Sequence, residues 1–204
     1  MYSISMALVD FIPVILFGIS IFILQRDLYN KMSKGCYALF CAGTIDVFMA
    51  GILKALYKLL YAANICDFEK LNAIFFPLQA LGFLMAGFAL CCMVFLKQNE
   101  KTLALAPVVY SGTMIFVSLM VLGLLGMNIS LSIIASKMKK KKLIICFVIC
   151  MIFSLMMGYL SSKDFSQSYM NWAAECVNII GQLALFIGVK SLDKAGLNEY
   201  KIER

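Results

Sequence analysis

Long apolar stretches alternate with short polar ones along the whole chain. A helix needs about 20 apolar residues to cross the hydrocarbon core of a bilayer. The stretch 103–137 is too long for one crossing, because a single helix there would run about 52 Å at ~1.5 Å per residue. We predict a tight turn at Gly123, Gly126 and Asn128 that divides it. The seven predicted spans are 6–25, 36–61, 71–96, 102–120, 124–137, 143–161 and 169–190.

The positive charges support this threading. With the amino terminus outside, seven crossings place three loops and the carboxyl-terminal tail in the cytoplasm, and 14 of the 18 Lys and Arg residues fall in these regions. Cytoplasmic loops are enriched in Lys and Arg. Six crossings would put the lysine run 137–142 and the tail outside, against that rule. We therefore predict an all-α, seven-helix membrane bundle in one domain, with a cytoplasmic carboxyl terminus and a place in the plasma membrane.

Composition supports a membrane protein. Hydrophobic residues make up 63% of the 204 residues and charged residues 14%, with a mean hydropathy of +0.92. Soluble domains run at about 45–50% apolar and about 25% charged. The chain is therefore neither an ordinary soluble domain nor a disordered one, which would need low hydrophobicity. Its net charge of +7 does not make it a nucleic-acid binder.

The counts of histidine and cysteine limit the possible chemistry. Histidine is absent, which excludes His-ligated zinc or haem and Ser-His-Asp hydrolysis. None of the 8 cysteines forms a C-x-x-C pair, and free cysteines in apolar runs behave as small hydrophobic residues. We therefore expect no metal and no cofactor. The first apolar run follows no basic residue and contains Asp10, so we expect a retained helix, not a signal peptide.

The seventh predicted span carries a polar stripe. Its members recur at spacings of four, three and four residues, which places them within about 60° of one helical face. They are Asn171, Glu175, Asn178 and Gln182. Strongly polar side chains inside a membrane need partners or water, so this face is expected to point into the bundle.

Polar residues on the first three spans complete the candidate site. One face of the second span, about 80° wide, carries most of them, and the first and third spans each add one. They are Asp10, Asp46, Lys54, Tyr57 and Gln79, and Tyr61 shares the same face of the second span. Pro13 and Pro77 lie close to Asp10 and Gln79, and each proline frees a backbone carbonyl and bends its helix.

Three charged residues fall at a similar depth in the outer half of the predicted bundle. Asp10, Lys54 and Glu175 lie on the first, second and seventh spans, which are neighbours in a sequentially arranged bundle. Asp46 lies about 12 Å deeper than Lys54. Ionised residues inside membranes face the bundle interior and mark functional sites. One lysine satisfies one carboxylate, so the second acid invites a shared proton or a cationic ligand.

A purely structural role is the alternative to this site. Interhelical polar contacts also hold membrane bundles together, so the same groups could serve packing alone. Lys58 and Lys190 lie near span ends, and we attribute both to snorkelling, in which a long side chain reaches the interface.

The predicted partners are the bilayer, a small-molecule ligand and a second copy of the chain, with no nucleic acid. The run Lys137–Lys142 is a topology signal, and it could also attract anionic lipid headgroups at about 1 kcal/mol per residue.

Three functions fit these features. The first is a carrier or channel for a small solute, cationic or proton-coupled, with a polar site in the outer half. The second is a ligand-binding seven-helix receptor or sensor subunit. The third is a membrane-embedded lipid enzyme with Asp and Glu as the acid–base pair, which we place last because no nucleophile motif occurs.

Overall fold

The computed structural model describes residues 3–95, 113–160 and 168–200. Every regular element in these ranges is a helix. The elements are α1 Ile4–Val9, α2 Phe11–Leu28, α3 Lys34–Ala62, α4 Glu69–Ala73, α5 Phe75–Phe95, α6 Thr113–Lys137, a 3₁₀ turn Lys141–Leu143, α7 Ile144–Leu160 and α8 Ser168–Lys194. The all-helical prediction is confirmed over the described residues.

Six helical segments in the described part of the chain are long and apolar enough to cross a membrane. They are Ile4–Leu28, Lys34–Ala62, Glu69–Phe95, Ile115–Lys137, Lys141–Leu160 and Tyr169–Lys194. The predicted spans 36–61 and 169–190 agree with two of them within a few residues. The chain is thus built for integration into a membrane.

The predicted turn between 120 and 124 is wrong. Helix α6 runs without a break through Gly123, Gly126 and Asn128, so the predicted spans 102–120 and 124–137 share one helix over the described residues. Residues 102–112 of the first of these spans lie outside the described ranges. The glycines serve packing: a Cβ atom on Gly123 would lie 2.2 Å from the carbonyl carbon of Phe83. Tertiary contact therefore overrides the turn preference of glycine.

The six long helices form a closed ring in the order α2, α3, α5, α6, α7, α8, in which α8 returns to α2. Close backbone contacts hold this ring. The Cβ position of Gly82 lies 2.6 Å from the Gly43 carbonyl oxygen, and that of Gly87 lies 2.2 Å from the Gly123 carbonyl oxygen. Small residues permit such approach between membrane helices.

Helices α5 and α6 run in the same direction. Gly123 packs against Phe83, Gly126 lies beside Gly87 and Cys91, and the Cys91 thiol also contacts Ser130. Residue numbers therefore increase together along both helices, which leaves the carboxyl end of α5 and the start of α6 at opposite ends of the bundle.

Two helix breaks lie three residues before a proline. Asp10 separates α1 from α2 ahead of Pro13, and Ile74 separates α4 from α5 ahead of Pro77. Proline lacks the N–H that would bond the carbonyl four residues earlier. Each proline therefore follows closely on an interruption of its helix.

One end of the bundle gathers the basic regions. Arg26 at the end of α2 forms an ion pair with Asp193, and Lys31 Nζ donates to the carbonyl oxygens of Asn198 and Tyr200 at 3.0 and 2.6 Å. The Tyr200 hydroxyl donates to the Lys137 carbonyl at 3.1 Å. The first loop, the α6–α7 turn and the tail therefore lie together, at what we call the basic end.

Candidate functional site

A cavity of about 130 Å³ lies inside the ring and is lined by residues of all six long helices. Its polar part faces away from the basic end. The polar lining residues are Asp10, Lys54, Gln79, Ser154, Glu175, Asn178 and Gln182. Aromatic and aliphatic side chains supply the rest of the wall. A few convergent polar groups in an apolar cavity are typical of small-molecule sites.

Two acids meet one lysine beside this cavity. Lys58 Nζ lies 2.9 Å from Asp10 Oδ2 and 2.7 Å from Glu175 Oε1, and all three side chains are less than a tenth exposed. Charged residues from the predicted first, second and seventh spans thus lie together. We call Asp10, Lys58 and Glu175 the buried triad.

The lysine that bonds the two acids is not the one that the sequence predicts. The prediction placed Lys54 between the acids and attributed Lys58 to snorkelling, but Lys58 is 7% exposed and bonds both acids. The reason is helical geometry, because Lys58 follows Lys54 by about one turn and lies some 40° from it on α3. Lys58 therefore shares the inward face and reaches the level of the acids.

Lys54 lines the cavity itself. Its Nζ lies 4.0 Å from the centre of the Phe75 ring, a cation–π distance. The Lys54 ammonium also interacts electrostatically with the charges of Asp10, Glu175 and Lys58. Among the described residues, no carboxylate lies within ion-pairing distance of Lys54.

Glu175 lines the cavity and has one acceptor oxygen that the buried triad does not use. Its Oε1 accepts from Lys58, whereas its Oε2 is buried and has no hydrogen-bond partner among the described residues. Gln182 Oε1, two turns deeper on the same face of α8, is also buried without a partner in that set. A buried acceptor without a hydrogen bond lowers stability by about 1–3 kcal/mol. A hydrogen bond from water or a ligand to these oxygens would recover that free energy.

The cavity ends toward the basic end on a pair of aromatic rings. Phe17 and Phe83 line it and pack edge to face, with 6.0 Å between ring centroids. Beyond them the bundle is filled by a hydrophobic core that includes Phe40, Met127 and Leu131, each of them fully buried. The polar groups therefore lie in a chamber closed on one side.

Three predicted site residues lie elsewhere. Asp46 is half-buried on α3 and outside the cavity lining. The Tyr57 hydroxyl donates to Asp67 Oδ1 at 3.2 Å, toward the α3–α4 loop. Asn171 is buried one turn before Glu175 without reaching the cavity. The structure thus brings Asp10, Lys54, Gln79, Glu175, Asn178 and Gln182 together and leaves these three apart.

Comparison with known proteins adds no assignment. No protein-family model matches the chain, and neither does any curated protein or any solved structure. The chemistry of the cavity therefore has to carry the functional interpretation.

Proposed function

We propose that the protein is a membrane carrier for a small polar solute, which binds in the cavity beside the buried triad. The observation that carries this proposal is Glu175, which lines a chamber formed by all six long helices and whose Oε2 is buried without a hydrogen-bond partner among the described residues. Ionised groups inside a membrane are costly and commonly mark substrate or ion pathways. A cavity of this size accommodates a molecule of about six non-hydrogen atoms, as in benzene.

Seven crossings form part of the proposal. Phe95 and Thr113 lie at opposite ends of the bundle, because α5 and α6 run in the same direction. A chain continuous between them passes the membrane once more, so the six described segments become seven crossings. The basic end then lies in the cytoplasm and the polar part of the cavity in the outer half, as the sequence predicts.

Flux through the purified protein tests the carrier. We would reconstitute it in liposomes and measure uptake of radiolabelled alanine, choline, lactate and erythritol, which are all small, polar and slow to cross lipid. At least one probe should accumulate faster than in empty liposomes. The variant Glu175→Gln should abolish that uptake while it still folds, because Lys58 keeps Asp10 as its partner.

The exposed Glu69 supplies a matched control, because Glu69→Gln removes the same charge outside the bundle and should leave uptake intact. Uptake that persists in Glu175→Gln would contradict the assignment. Binding of a probe without uptake would instead favour the second function, a ligand-binding receptor.

Lipid contact at the basic end is a separate proposal. Lys139, Lys140, Lys141 and Lys142 are all exposed at the α6–α7 turn. Ammonium groups at this level would meet the headgroups of the inner leaflet, which attract basic residues at about 1 kcal/mol each.

A further inference from the structure

We propose that the solute is a zwitterion of the α-amino acid type and of about the size of alanine. This inference rests on the proposed binding role of the cavity and names the substrate class. The inference follows from the separation of charge in the cavity, where the two acids lie at one position and Lys54 lies at another.

The first position is acidic. Lys58 engages one oxygen of Asp10 and one oxygen of Glu175, so one positive charge faces two carboxylates. The second oxygen of Glu175 stays buried and unbonded among the described residues. An ammonium group suits this position, because it donates up to three hydrogen bonds and adds the positive charge that Lys58 alone does not supply.

The second position is basic. Lys54 lies on the cavity wall, and its Nζ lies over the face of the Phe75 ring, 4.0 Å from the ring centre. No carboxylate of the described residues pairs with it. A carboxylate of the solute would give Lys54 a charge-assisted hydrogen bond, which is stronger than a bond between neutral groups.

The balance of charge favours a neutral solute with both groups. Asp10 and Glu175 together cancel Lys54 and Lys58, so a solute of net charge would leave the buried cluster unbalanced. A simple amine would meet the acids but also the repulsion of Lys54, and a simple carboxylate would leave Glu175 Oε2 unbonded. An amino acid satisfies both positions, and its side chain meets the apolar wall that Val14, Phe48 and Met157 help to form.

Calorimetry on the purified full chain in detergent tests this inference with three matched probes. Alanine carries both charged groups, ethylamine lacks the carboxylate and propionate lacks the ammonium. We expect alanine to bind about tenfold to 100-fold more tightly than either analogue, the range that follows from losing one hydrogen bond to a charged group. Equal affinities for the three probes, or no binding of alanine, would overturn the inference.

Two variants locate the carboxylate. Lys54→Met should lower alanine affinity by about tenfold or more and leave ethylamine binding equal or tighter, whereas Lys54→Arg should restore preference for alanine. Lys70→Met removes an exposed lysine at the same end and should change nothing. Unchanged alanine affinity in Lys54→Met would overturn the role of Lys54.

The two proposals fail in different ways. Uptake of choline or erythritol by a protein that does not bind alanine would contradict the zwitterionic substrate and support the carrier function. Selective binding of alanine without uptake of any probe would support the zwitterion site and contradict the carrier function.

Discussion

Lys58 donates a hydrogen bond to Glu175 across the bundle, with 2.7 Å between Nζ and Oε1. The contact joins α3 to α8, and the same ammonium holds Asp10 at the break between α1 and α2. A single cation thus joins α3 both to the α1–α2 break and to α8 at one depth of the bundle. The other carboxylate oxygen of Glu175, Oε2, stays buried without a hydrogen-bond partner among the described residues.

Removal of Lys58 should destabilise the bundle strongly. In Lys58→Met two buried carboxylates lose their cation, and breaking a buried ion pair costs about 3–5 kcal/mol. Thermal unfolding in detergent measures the effect, with Lys70→Met as the exposed control. Adding Asp10→Asn and Glu175→Gln to Lys58→Met should recover part of the loss. Equal losses in the single and triple variants would show that charge is not the cause.

The glycine contact between α5 and α6 should be intolerant of even one methyl group. A Cβ atom on Gly123 would lie 2.2 Å from the backbone of Phe83, whereas a Cβ atom on Gly158 meets no atom of the described residues within 4 Å. Gly123→Ala should therefore lower the unfolding temperature. Gly158→Ala should leave it unchanged or raise it, because alanine favours helix by up to about 1 kcal/mol. Similar effects of the two substitutions would contradict the described packing.

The two ends of the bundle should react with thiol reagents from opposite sides of the membrane. Cys66 is exposed in the α3–α4 loop, and Lys140 is exposed at the basic end. In a chain stripped of its other cysteines, a membrane-impermeant maleimide should label Cys66 in intact cells. It should label Lys140→Cys only after the cells are permeabilised. Labelling of both positions in intact cells would refute the proposed orientation.

The basic end should prefer anionic bilayers. Changing Lys139, Lys140, Lys141 and Lys142 to Gln removes four exposed charges, each worth about 1 kcal/mol near an anionic surface. Thermal unfolding in nanodiscs should show that phosphatidylglycerol stabilises the wild type more than the variant. Salt should reduce the difference, because it screens exposed charges. The same gain for both proteins would rule out lipid contact at these lysines.

The sequence predicts the helices and the depth of the charged groups because both depend on local pattern. Apolar length defines the spans, and the positions of Asp10 and Glu175 along their spans follow from counting residues. The prediction from sequence is wrong where contacts between neighbouring helices determine the local structure. In the sequence Gly123 is typical of a turn. In the structure it packs against the backbone of Phe83 within a continuous helix.

The identity of the central lysine was open to prediction. Lys54 and Lys58 lie one turn apart on α3, and widening the predicted polar face from about 80° to about 120° would have included Lys58. What the sequence cannot provide is the level at which the acids meet it. That level depends on the break at Asp10 and on how α8 sets against α3, which are properties of the assembled bundle.

Access to the cavity from both sides of the membrane tests the carrier most directly. Ser154 lines the cavity, and its neighbour Leu155 is exposed on the outer surface of α7. In a chain without other cysteines, Ser154→Cys in oriented liposomes should react with a small charged methanethiosulfonate from either face, and Leu155→Cys should react poorly from both. Reaction of Ser154→Cys from one face alone, under all conditions, would contradict the carrier.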